Sequence, residues 1–134
     1  MLKDTAMNFE CKKLTITDDP DFGCTIEFSD TIERNSESMT VEELFNPTSK
    51  YLLIERSYPE EENEIDWYTV ESSEIEIDFS QKDNIYVKLI PTEFEIYCSG
   101  VTMVIGLNLS DQEYSELNKI LRTRFKGKVV MIDN

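Results

Sequence analysis

The sequence predicts an α+β domain: a mainly antiparallel β-sheet of about seven or eight strands packed by one C-terminal helix, with a short helical turn near 41–45. Three observations carry this. Apolar and polar residues alternate with a period of two through most of the chain. One segment, residues 110–127, changes to helical spacing. The strand-like segments run consecutively before that helix arrives, without the regular strand–helix alternation of a parallel fold. The 134 residues make one domain, 1–134, with no repeats and no low-complexity linkers.

The elements follow in order. Met7, Phe9 and Cys11 alternate, and the apolar phase then shifts to Leu14 and Ile16, which predicts a bulge near Lys12-Lys13. Asp18-Asp19-Pro20-Asp21-Phe22-Gly23 is a turn by composition, and Cys24, Ile26 and Phe28 return as a hairpin onto the first strand. Thr40-Val41-Glu42-Glu43 reads as a capping box that opens the helical turn 41–45, which Asn46-Pro47 stops. Tyr51 to Arg56 is nearly continuous in apolar residues and predicts a strand covered on both faces. Pro59 and the acidic run after it form a loop, and Ile65 to Glu71 is the next strand. Ile75, Ile77 and Phe79 alternate with Glu74, Glu76 and Asp78, the cleanest period of two in the chain. Ile85, Val87 and Leu89 repeat that pattern, Phe94 and Ile96 mark a short strand, and Val101 to Leu107 a longer one. Ser110-Asp111-Gln112-Glu113 is a second capping box, followed by a stripe of Tyr114, Leu117, Ile120, Leu121 and Phe125. Arg122, Arg124 and Lys126 suit the last turn, Gly127 the stop, and Val129 to Ile132 a final short strand.

Bulk properties restrict function. Hydrophobic residues at 40% and charged residues at 31% describe a folding chain rather than a disordered one. No stretch approaches the ~18 apolar residues of a membrane span. The opening Met1-Leu2-Lys3-Asp4-Thr5 lacks an apolar signal core, so a cytoplasmic location is expected. Cys11, Cys24 and Cys98 are odd in number and set in apolar alternation, as packed thiols are; a Cys11–Cys24 bridge is the other possibility. Net charge is −15, and it is uneven: residues 1–109 carry 8 basic and 24 acidic side chains, residues 110–134 carry 5 and 4. Such a field repels phosphate backbones and attracts basic partners, although it also serves solubility alone.

The chain offers little for catalysis. With no histidine, the commonest general base and the triads built on it are missing. Four glycines, at 23, 100, 106 and 127, leave no phosphate-cradling loop. Asp19-x-Asp21-x-Gly23 lacks the third donor of a calcium loop, and Glu27 follows too soon after the glycine. No catalytic residue, cofactor or metal is therefore expected, and the protein is read as a non-enzyme. A pair of carboxylates acting as in glycosidases is not excluded by composition.

Two features stand out as candidate binding surfaces. The first is the loop carrying Glu60, Glu61, Glu62, Glu64 and Asp66, followed directly by the aromatic pair Trp67 and Tyr68. Acids at a rim orient a partner, and exposed rings would anchor it. A solvated loop beside a core tryptophan is the alternative. The second is the row Glu74, Glu76 and Asp78, spaced roughly 6.5–7 Å apart on one strand face. Like charges so aligned cost stability unless cations flank them, as Lys88 could, or unless a partner supplies them. An ordinary solvated sheet face is the alternative here.

From Tyr51-Leu52-Leu53-Ile54-Glu55-Arg56 onward the order of elements resembles the immunity protein 10 family of bacterial polymorphic-toxin systems. The resemblance runs through the acidic loop, Trp67-Tyr68-Thr69-Val70-Glu71, the segments 75–79 and 85–89, and a closing helix ending Phe125-Lys126-Gly127. It covers residues 51–127. The stretch after Glu71 is shorter than the family pattern and lacks its glycine-rich turn, and residues 29–50 are longer. The resemblance implies a cytoplasmic protein that binds a cognate toxin domain and blocks it, with no catalytic residue and no cofactor. Its partner would be a protein, on charge grounds a basic one, with neither direct nucleic-acid binding nor a membrane role, and nothing points to a homo-oligomer. An acidic nucleic-acid mimic, a carboxylate enzyme and a structural subunit are the competing expectations.

Overall fold

The computed structural model describes residues 5–31, 50–59 and 67–132, and its architecture is α+β. The described strands are β1 (Thr5–Glu10), β2 (Lys13–Asp19), β3 (Gly23–Ser29), β4 (Tyr51–Ser57), β5 (Trp67–Ser72), β6 (Ile85–Ile90), β7 (Glu93–Cys98), β8 (Val101–Gly106) and β9 (Val129–Met131). The helix α1 (Asp111–Thr123) lies between β8 and β9. The strands form two sheets, one of order β2-β3-β4-β5 and wholly antiparallel, the other of order β1-β8-β7-β6-β9. In the second sheet the β1–β8 and β6–β9 pairs are parallel, and both lie at its margins.

Alternation explains why the sheets face each other. Cys24, Ile26 and Phe28 of β3 and Leu52 and Ile54 of β4 are fully buried, as are Ile85, Val87, Phe94, Ile96, Met103 and Ile105 of the other sheet. These side chains form one cluster, and the Phe28 and Phe94 rings meet across it at 4.5 Å between centroids. Leu117, Leu121 and Phe125 bring the helix into the same core. Full burial of a side chain of this size contributes roughly 1.5–3 kcal/mol, so the helix is held by packing more than by its own propensity.

Local chemistry sets the ends of the elements. Ser110 caps α1 as expected: Glu113 N–H donates to its Oγ at 3.1 Å, and Ser110 N–H donates to Glu113 Oε1 at 3.0 Å. The β2–β3 hairpin closes at Asp19, whose carbonyl accepts from Phe22 N–H and whose Oδ1 accepts from Asp21 N–H. Gly23 is required there, because a side chain would collide with the Arg56 backbone of β4. Ser99 and Gly100 both take positive φ, the form that joins β7 to β8 without splaying them.

Several expectations need correction. The phase shift at Lys12-Lys13 is not a bulge within one strand: the chain leaves one sheet at β1 and enters the other at β2. Strand β4 is central, but only Leu52 and Ile54 are fully covered, while Leu53 lies half-exposed on the outer face between Glu27 and Glu71. Residues 74–79 keep their alternation, with Ile75, Ile77 and Phe79 half-buried and the acids exposed, yet they join no ladder. The helix ends at Thr123 with Arg124 as its C-cap, ahead of Gly127, because Phe125 turns inward to fill the core. Arg122 alone of the three cations sits in its last turn. Tyr68 is buried against Phe125, with ring centroids 6.3 Å apart, so it is not an exposed anchor. The helical turn at 41–45 lies outside the described residues.

Candidate functional site: an acidic groove beside an open strand edge

Strand β5 is the outermost strand of the four-stranded sheet, and its register decides which backbone groups stay free. Ser73 N–H donates to the Tyr51 carbonyl at 3.1 Å, so the odd residues of β5 bond toward β4. Tyr68, Val70 and Ser72 therefore aim their N–H and C=O groups at the opposite edge. Gln81 confirms this direction. Its side-chain carbonyl accepts from Tyr68 N–H at 2.9 Å, and its amide donates to the Tyr68 carbonyl at 2.5 Å. Beyond Tyr68, no hydrogen bond from the described residues meets that edge.

The chain from Ser73 to Gln81 doubles back alongside β5, and between the two lies an open groove of about 610 Å³. Among the described residues its wall carries Glu71, Glu74, Glu76 and Asp78, together with Trp67, Ile75, Ile77 and Phe79, and no lysine or arginine. Alternation places these groups: inward Ile75, Ile77 and Phe79 hold the segment on the core, which turns the acids out. Glu74 pairs with Lys50 at 3.4 Å, both side chains being about 40% exposed, an arrangement that contributes roughly 0–1 kcal/mol. Glu71 accepts from the Tyr51 hydroxyl at 3.2 Å. Among the described residues no cation pairs with Glu76 or Asp78. Lys88, the cation expected to flank the row, stands opposite Glu95 in the β6–β7 register instead.

The predicted site residues thus separate. Glu74, Glu76, Asp78 and the exposed Trp67 (54%) come together at the groove. Tyr68 turns its ring into the core, and Gln81 bonds its outward backbone groups. Glu60, Glu61, Glu62, Glu64 and Asp66 lie outside the described residues. Glu71 was missed as a candidate, although its alternation with Tyr68 and Val70 signals an outward carboxylate.

A second surface was also missed. On the outer face of the five-stranded sheet Tyr86 lies between Tyr97 and Val130 in register, with Ile90 and Ile132 nearby, all more than a third exposed. The signal was visible: the outward positions of Ile85–Ile90 are Tyr86, Lys88 and Ile90, two of them large and apolar.

At the end of the helix, by contrast, charges are matched internally. Asp18 accepts from Arg124 Nε at 2.6 Å and from the Tyr58 hydroxyl at 2.7 Å. Arg56 donates to the Arg124 carbonyl at 2.6 Å and stacks over the Tyr58 ring, 4.7 Å from its centroid. The Arg124 and Tyr58 hydrogen bonds hold the Asp18 carboxyl below its usual range, while burial and then the Asp18 bond push the Tyr58 phenol up to about 12. This clasp ties the end of the helix to the β2–β3 hairpin and β4. The three thiols are free and buried; burial raises Cys24 and Cys98 to about 11 and raises Cys11 as well, so none is a ready thiolate. Among the described residues, no group of three acid or thiol side chains could hold a metal ion, and no helix is long and apolar enough to cross a membrane. Searches against family models, curated proteins and solved structures find no match to the chain.

Proposed function

We propose that the protein is a non-catalytic binding module whose acidic groove engages a basic protein, and that this partner is a toxin domain which the chain neutralises in the cytoplasm as an immunity protein. The observation that carries the reading is the groove wall itself: four carboxylates and an exposed tryptophan, with Glu74 the one carboxylate that a cation, Lys50, meets among the described residues. Glu76 and Asp78, which no cation meets among the described residues, leave their field for another molecule, where it steers encounter and selects a cationic surface. Trp67 at the lip supplies the large, rigid apolar contact that such interfaces concentrate their energy in. The resemblance of residues 51–127 to the immunity protein 10 family supports the identity of the partner as a toxin.

The test is growth protection. The reading frame immediately upstream is determined first, and where it encodes a secreted protein with a variable C-terminal domain, that domain is expressed with the wild-type chain, or with the chain carrying Glu74→Lys, Glu76→Lys and Asp78→Lys. The wild type should restore growth and form a complex that duplex DNA does not displace, and the triple variant should do neither. A wild-type chain that fails to protect, or a triple variant that protects fully, removes this reading.

A further inference from the structure

Resting on that reading, we infer that the groove takes its partner as an added strand: an extended basic segment pairs with the free edge of β5 at Val70 and Ser72. Two independent features converge on this. One is the hydrogen-bonding edge. Val70 and Ser72 share the outward orientation that Tyr68 demonstrates through Gln81, and the described residues offer their outward N–H and C=O groups no partner. A strand edge of this kind is a template for an incoming chain. The Gln81 amide already completes the edge at Tyr68, so it fixes where the added strand must end.

The other feature is the chemistry facing the slot. Glu71, Glu74, Glu76 and Asp78 surround it, while Ile77 and Phe79 present half-buried apolar surface. An added strand alternates its side chains between two sides. Lysines or arginines on one side would meet the carboxylates, and small apolar residues on the other would cover Ile77 and Phe79. A second copy of this chain is excluded as the occupant by the same charges, since two such edges would set carboxylates against carboxylates. The segment 74–79 has strand-forming alternation yet runs beside β5 without pairing, which leaves the edge available.

A blocked peptide alternating lysine and valine is the probe. Its binding is followed by Trp67 fluorescence and by amide exchange at Val70 and Ser72. Three forms are compared: the parent, one N-methylated at the valine amides, and one N-methylated at the lysine amides. Successive amides of a strand point to opposite edges, so strand addition requires that one methylated form lose affinity by about tenfold or more while the other does not. Exchange at the Val70 and Ser72 amides should slow in parallel.

The outcomes divide cleanly. If both methylated forms bind like the parent, strand addition is wrong; loss of that binding with Glu76→Lys and Asp78→Lys would then leave the acidic groove standing. If a glutamate–valine peptide binds as well as the lysine–valine one, the charge argument for the occupant is wrong. Self-association of the free protein through this edge, seen by sedimentation, also overturns the proposal.

Discussion

Two regions of the molecule treat charge in opposite ways. At the clasp, Asp18 is met by Arg124 and Tyr58, and Arg56 reaches across to the helix end, so the side chains hold one another and the fold. At the groove, Glu71, Glu74, Glu76 and Asp78 share one wall, and among the described residues the only ion pair is the exposed Lys50–Glu74 contact. Both regions are rich in charge, so composition does not tell them apart. The difference is that the clasp side chains hold one another, whereas Glu76 and Asp78 meet no cation among the described residues. Charge that does nothing for the fold is the better guide to function.

The contrast can be broken most decisively at the groove. Exchanging Glu74, Glu76 and Asp78 for lysine should lower affinity for a basic partner by about 100-fold or more at low salt, read by calorimetric titration. Raising the salt should narrow that gap, mainly through the association rate. Next in size is the clasp. Asp18→Asn should destabilise the protein by about 1 kcal/mol in urea unfolding at neutral pH, since it weakens two hydrogen bonds and an exposed ion pair.

Titration sharpens the comparison further. The folded Asp18 carboxyl lies below its ordinary value of 3.8, so its contribution is present above that value and is lost as pH falls through the lower folded one. The stability gap between wild type and Asp18→Asn should therefore close in acid. Tyr58 has the opposite sign: its neutral form is favoured in the fold, so its contribution holds below about 10 and fades as pH rises toward about 12. Tyr58→Phe should lose the matching part of its deficit at alkaline pH. The smallest effect belongs to Trp67→Ala, which should change stability by no more than about 0.5 kcal/mol while weakening partner binding.

Much of this was legible in the sequence, for reasons that are local. The Ser110 capping box, the Asp19–Gly23 hairpin and the period of two in β3, β6 and β7 depend on neighbours a few residues away, and they read correctly. What failed depends on distant partners. A phase shift in alternation looks the same whether a strand bulges or crosses to a second sheet, so Lys12-Lys13 could not distinguish them. The parallel β1–β8 pair joins distant segments, Asn8 pairing with Val104, and no periodicity encodes it. Residues 74–79 have a strand's pattern because they cover a core, not because they have a ladder partner. At the site, alternation alone separates Trp67 and Glu71 outward from Tyr68 and Val70 inward. The open edge of β5 was invisible, because which strand ends a sheet is a property of topology.

The central claim is that the groove carboxylates are surplus to folding, and urea unfolding of the Glu76→Lys, Asp78→Lys double variant tests it without any partner. Relief of like-charge repulsion predicts a midpoint equal to or above that of the wild type, with an unchanged denaturant slope. A loss of more than about 1 kcal/mol would show that these acids serve the fold itself, and would contradict the account.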